Sequence, residues 1–201
     1  MIGAVVLAAG EGSRFGGPKQ LAELDGRPLL DHVLAAVAAV PAVERFVLVL
    51  GARADEVRAR VDLHGAEVVV CESWAEGQAA SLRAGLAALD DVDAALILLG
   101  DQPGITPAAI EAVLAHFDGT RPLRAVYDGA PGHPVVLQRR LVREAMKLQG
   151  DIGARELLED ARALRVEVGH LCQPADVDTP ADLDRLHISR SHGQEPRDVE
   201  A

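Results

Sequence analysis

The chain has 201 residues, enough for one well-buried domain and short for two. Its 20 basic residues against 31 acidic ones leave a formal charge of −11 and an isoelectric point near 5.0, which argues against nucleic acid or an anionic membrane as a general partner. Hydrophobic residues make up 49% but aromatics only 2%, so the core must be built from Ala, Val and Leu, and no apolar run approaches the ~20 residues of a membrane helix.

In chain order, residues 4–7 form a short apolar run that reads as a buried first strand, and Gly10, Gly12, Gly16 and Gly17 follow it closely. Pro28 opens a helix in which Leu29, Leu30, Val33, Leu34, Val37 and Val40 recur at helical spacing before Pro41. Residues 46–50, 67–70 and 94–99 are further β-rich runs, with helices predicted over 52–61 and 78–89. Thr106-Pro107 joins a capping residue to proline at the first helical position and starts a helix reaching about residue 117.

After Gly119 the rhythm changes. Residues 123–127 and 134–137 are strand-like and bracket the turn-rich stretch 128–132, which predicts a hairpin or an added antiparallel pair. Helices over 139–148 and 152–161, a strand over 165–168 and a helix opened by Thr179-Pro180 complete the pattern. Strands alternating with helices specify an α/β fold: one domain over residues 1–186, with a mostly parallel sheet covered on both faces and an antiparallel addition. Residues 187–201 are polar and without periodicity, so a disordered tail is expected there. Cys71 and Cys172 stand far apart with no metal-ligand spacing around either. Two buried free thiols, a reducing cytoplasmic location and no secretory segment are the corresponding expectations.

The loop after the first strand carries the densest chemistry. From Leu7-Ala8-Ala9-Gly10 through Gly12, Arg14 and Lys19, its glycines leave backbone N–H groups bare and its two cations add fixed positive charge in an acidic protein. Phosphate is the ligand such a loop suits. The third glycine is one position late for a dinucleotide-binding fingerprint, and Lys19 is not followed by the Ser or Thr of a P-loop. A triphosphate held against arginine and lysine fits better.

Asp101, in Gly100-Asp101-Gln102-Pro103, ends a long apolar strand where open α/β sheets place their ligands. Its carboxylate can hold Mg²⁺ against phosphate oxygens or can simply cap the turn before Pro103. Asp178, in Asp176-Val177-Asp178-Thr179-Pro180, can complete such a metal site or belong to the helix start with Thr179 as cap. Gln78 and Ser81 at the predicted helix start after Gly77 can read a base or sugar edge together with free N–H groups. His133 and Asp151 lie in Gly132-His133-Pro134 and Gly150-Asp151-Ile152-Gly153, one in a turn and one at a helix-capping position.

Taken in order, these motifs resemble those of the MobA-like nucleotidyltransferase family, specifically its molybdenum-cofactor cytidylyltransferase branch, from Val5 to about Leu186. The resemblance implies a three-layer αβα, Rossmann-like fold of the nucleotide-diphospho-sugar transferase type. It implies a triphosphate held by Gly10, Gly12, Arg14 and Lys19, and Mg²⁺ on Asp101 and Asp178. Arg14, Lys19 and Asp101 would carry catalysis. Leu7, Ala8, Ala9, Gln78 and Ser81 would complete the nucleotide site, with Ala8-Ala9-Gly10 favouring CTP over GTP. Molybdopterin, as acceptor, would lie near His133 and Asp151, and a molybdenum hydroxylase is a possible partner. Three other readings stay open: a nicotinamide-dependent oxidoreductase on the same scaffold, a transferase using GTP or another acceptor, and a non-catalytic carrier of the cofactor.

Overall fold

The computed structural model describes residues 1–89, 91–151, 154–172 and 175–192. Seven strands form one sheet: β1 (Ile2–Ala8), β4 (Arg45–Leu50), β5 (Glu67–Val70), β6 (Ala94–Leu99), β7 (Leu123–Tyr127), β8 (Ala130–Gln138) and β9 (Leu164–Glu167), in the order β5-β4-β1-β6-β8-β7-β9. β8 alone runs against its neighbours, slotted between β6 and β7. The two-stranded ribbon of β2 (Glu23–Leu24) and β3 (Arg27–Pro28) stands apart from the sheet.

Both faces of the sheet are covered. Along β1, Ala4, Val6 and Ala8 face one core and Val5 and Ala9 the other, because side chains alternate along a strand. On the first face pack α1 (Leu29–Ala38), α2 (Ala54–Arg60) and α4 (Pro107–Leu114), through residues such as Val33, Val57 and Ile110. The second face takes α3 (Gln78–Ala88), α5 (Arg139–Ala145) and α6 (Arg155–Asp160), through Leu82, Leu141 and Leu158. The three-layer αβα expectation holds, and the core is aliphatic as the composition requires.

The hairpin between β7 and β8 is tighter than the turn-rich stretch 128–132 suggests. Tyr127 pairs with Ala130, so only Asp128 and Gly129 form the turn, both at positive φ (50° and 82°). Two left-handed residues match the twist of the flanking strands, and this lets β8 begin well before Pro134. At the other end, α7 (Pro180–His192) continues past Leu186, where a polar tail is expected from residue 187. Residues 193–201 of that tail, and Ile152 and Gly153 of the predicted 152–161 helix, lie outside the described residues. Both cysteines are free, Cys71 buried and Cys172 half-buried. Among the described residues no helix is long and apolar enough to cross a membrane.

The topology selects one place for a ligand. From β1 the chain first builds outward through β4 and β5, then returns to add β6 on the other side. Connections therefore diverge between β1 and β6, opening a crevice beyond their carboxyl ends.

Candidate functional site

The glycine-rich loop leaves β1 directly over that crevice. Gly12 sits at φ +71°, and a Cβ on it would lie 2.3 Å from the Gly17 carbonyl oxygen, so no larger residue fits this turn. Phe15 and Gly16 donate their N–H groups back to the Gly12 carbonyl at 2.9 and 3.1 Å. Those two amides are thus consumed by the loop itself rather than left bare for an oxyanion. Gln20, which sequence reasoning passed over, is buried and donates from Nε2 to the carbonyls of Ala8 and Gly10 at 2.8 and 2.9 Å. It ties the strand end to the single 3-10 turn of residues Lys19–Leu21 and so fixes where Lys19 starts.

Lys19 is the hub. Its Nζ donates to Asp101 Oδ2 at 2.6 Å and to Asp178 Oδ1 at 2.8 Å, while Arg14 Nη1 lies 3.1 Å from Asp178 Oδ2. The four residues read separately from three distant stretches therefore meet. What brings Asp178 in is backbone: the Val177 N–H donates to the Asp101 carbonyl at 3.0 Å, with Val177 fully buried beneath. Thr179 and Asp182 then exchange capping hydrogen bonds at the start of α7, which holds the Asp178 backbone in place.

Electrostatics inside this cluster are uneven. Burial pushes the Asp101 carboxyl up, and the adjacent Lys19 ammonium only partly offsets it. Asp178, more open to solvent, is held below the usual carboxylate range by the Lys19 hydrogen bond against a smaller effect of burial. Burial also works against the charge of Lys19, yet the two carboxylates outweigh it and raise its pKa. Lys19 is 15% exposed and Arg14 76% exposed, so one cation is built into the floor and the other reaches outward.

Asp101 Oδ1 is buried without a hydrogen-bond partner among the described residues. An orphaned carboxylate oxygen beside a second carboxylate, both within reach of one ammonium, is a donor set that suits a hard divalent cation. Among the described residues no group of three or more acidic, His or Cys side chains has metal-binding geometry. The fit is therefore to an ion of the magnesium kind, which takes one or two carboxylates and completes its shell with water and phosphate oxygens.

Beside the cluster opens a cavity of about 640 Å³. Leu7, Ala9, Gly10, Leu99 and Asp101 line it from the sheet, and Gln78 and Ser81 from α3. Ala8 does not take part through its side chain. Strand alternation turns it into the opposite core, and its contribution is the carbonyl that Gln20 holds. Trp74 also lines the cavity, and its being the only tryptophan of the chain was the signal available for it.

The start of α3 does not offer the free N–H groups expected of it. Gln78 N–H donates to Asp151 Oδ1 at 3.3 Å and Ala79 N–H to the Gly150 carbonyl at 3.1 Å. Asp151 thus belongs to the cavity beside Lys19, as a carboxylate at a helix N-terminus, where the dipole favours it. His133 is not with it. That residue is half-buried on β8, its carbonyl accepts from the Tyr127 hydroxyl, and desolvation with Arg124 nearby pushes its pKa down to about 4. A neutral imidazole on a sheet strand replaces the turn histidine of the sequence reading.

The family model of the MobA-like NTP transferase domain matches residues 4–167. Nicotine blue oxidoreductase of Paenarthrobacter nicotinovorans is 34% identical over 193 residues, 90% of this chain and 94% of its own length. A 2-C-methyl-D-erythritol 4-phosphate cytidylyltransferase of Chromobacterium violaceum is 38% identical over 120 residues, 58% of this chain and 53% of its own. The fold also matches the crystal structure of Rv0371c of Mycobacterium tuberculosis in complex with manganese, at TM-score 0.77 and 34% identity, covering 94% of this chain and 98% of that one.

Proposed function

The chain belongs to the MobA-like NTP transferase family, and on that premise we propose that it transfers CMP from CTP to the terminal phosphate of a molybdopterin. The observation that carries this reading is Lys19 held between Asp101 and Asp178 under a glycine-rich loop, at the carboxyl ends of β1 and β6. A phosphate oxygen of the acceptor attacks the α-phosphorus of the nucleotide. The bond from that phosphorus to the bridging oxygen breaks, and pyrophosphate leaves with the electron pair.

The nucleophile is already ionised at neutral pH, so no side chain has to remove a proton. The residues align and neutralise, the two effects that dominate such transfers. Arg14, mostly exposed, pairs with the outer phosphates. Lys19 approaches the triphosphate from the floor, and Gly12 keeps the loop narrow enough for the backbone to close over it. Asp101 and Asp178 would hold a divalent ion, Mg²⁺ in this reading, which supplies further neutralisation of the polyanion. Gln78 and Ser81 face the base, and Ala8-Ala9-Gly10 at the end of β1, by its resemblance to the cytidylyltransferase branch, favours cytosine over guanine. The relative in complex with manganese and the cytidylyltransferase relative support the ion and the base respectively.

The test is pyrophosphate release from the purified chain given molybdopterin, Mg²⁺ and each nucleoside triphosphate in turn. CTP-dependent release that stops on chelation is expected. Release with GTP alone reassigns the base, and no release with any of the four sinks the reading.

A second reading has one observation in its favour: a relative of nearly the same length that is an oxidoreductase. A nicotinamide cofactor in the same cavity would use the loop and leave the carboxylate pair without a task. Tight NADPH binding together with absent CTP binding would establish it instead.

A further inference from the structure

The carboxylate pair has two polar neighbours in sequence, Gln102 just after Asp101 and Asp176 two residues before Asp178. Gln102 is 7% exposed, and its Nε2 donates to Asp176 Oδ1 at 2.7 Å. A carboxylate only accepts, so the amide nitrogen is the end that must face it. Backbone fixes Gln102 on its own loop: its N–H donates to the Leu99 carbonyl at 3.4 Å, and its carbonyl accepts from the Ile105 N–H at 3.2 Å.

The two segments meet at three successive levels. Lys19 bridges Asp101 to Asp178, the Val177 N–H bonds the Asp101 carbonyl, and Gln102 bonds Asp176. Val177 anchors the middle of its segment, fully buried in one apolar cluster with Leu24 and Leu29. These holds are not equivalent. Lys19 and Arg14 grip Asp178 by its carboxylate, the group a divalent ion needs, so both loosen when Asp178 turns to a cation. The Gln102 bond leaves the carboxylates of Asp101 and Asp178 untouched. Among the described residues Asp101 lines the cavity of about 640 Å³ and Gln102 does not, so the amide works from behind the site.

We infer that Gln102 is a positioning residue for the divalent-ion site: by holding Asp176 it fixes where Asp178 stands across from Asp101. The inference rests on the reading of Asp101 and Asp178 as ligands of one ion. An ion of the magnesium kind demands near-octahedral geometry, so two ligands on separate loops must keep their spacing, and a segment free to slide would lose one of them. A neutral amide suits the task. A cation at position 102 would compete with the ion for the carboxylates, and a carboxylate there would repel Asp176.

Binding of Mn²⁺ alone to the full chain, followed by loss of the free ion's paramagnetic resonance signal, tests it, with folding checked by circular dichroism. Gln102→Leu removes the donor at similar volume, and Asp176→Ala removes the acceptor at an exposed position, away from the interior. Each is expected to weaken Mn²⁺ binding by about tenfold to a hundredfold, the usual worth of a group that orients a metal ligand. The double variant is expected to bind no more weakly than Asp176→Ala, because Gln102 acts only through that residue. Wild-type affinity in either single variant overturns the proposal, and so do losses that add in the double variant. A Gln102→Leu chain that does not fold leaves Asp176→Ala to decide. Asp101→Asn separates this role from the ion site itself. Binding by the wild type that Asp101→Asn abolishes upholds the ion site whatever Gln102 does. No binding by the wild type, or binding that survives Asp101→Asn, sinks the ion site and the positioning role with it.

Discussion

Two edges of the same sheet gather cations in different ways. At the carboxyl ends of β1 and β6, Lys19 and Arg14 are matched by Asp101 and Asp178. At the β7–β9 edge, Arg124, Arg162 and Arg165 line one cavity together with Glu159. The first cluster carries its own counterions, so a ligand there must trade partners with groups already paired and aligned. The second places its arginines on two strands and just after a helix, with an acidic residue of that helix beside them. Charges paired across a crevice and charges lining a cavity are different arrangements of the same kinds of side chain.

Variants at the two edges separate these roles. The largest effect belongs to Lys19→Ala, which is expected to lower CTP-dependent turnover by ~10²–10³. Ordinary turnover in that variant would remove Lys19 from the mechanism. Gly12→Ala comes next: the added methyl meets the Gly17 carbonyl in a left-handed turn, and chemical denaturation should register a loss of about 1–3 kcal/mol with weakened nucleotide binding. A stability equal to wild type would mean the loop has room that the geometry denies.

His133, between the two edges, probes the interior through pH. Its folded pKa of about 4 lies below its ordinary 6.5, so the unfolded chain binds the extra proton in that interval. The neutral imidazole therefore contributes stability that is complete above about 6.5 and drains away as pH falls toward about 4. Melting temperatures across this window should fall more steeply for the wild type than for His133→Gln; parallel curves would place the imidazole in solvent. The smallest effect is expected of Arg162→Gly, a gain of roughly 0.5 kcal/mol as glycine takes the left-handed position, with turnover on CTP unaltered. A matching loss of turnover would join the two edges into one site.

The alternating strands and helices, the aliphatic core and an antiparallel connection around 128–132 were legible in the chain, because each is a short-range pattern of polarity or turn chemistry; that its turn is only Asp128-Gly129 was not. Gly12, Arg14 and Lys19 were legible for the same reason, as one continuous stretch. Strand alternation was legible too, and applied to Leu7-Ala8-Ala9 it would have turned Ala8 away from the cavity. Asp151 shows the limit. Its capping character is visible locally, but the helix it serves, α3, starts at Gln78.

By itself, then, the sequence determined the layers, the glycine loop and the identity of the charged groups, since local propensity and periodicity act between near neighbours. Only the tertiary structure decided that Asp178 stands over Asp101, through the Val177 amide, and that three arginines converge on the far edge. Those meetings depend on sheet order and on how strands cross over, which no local pattern encodes.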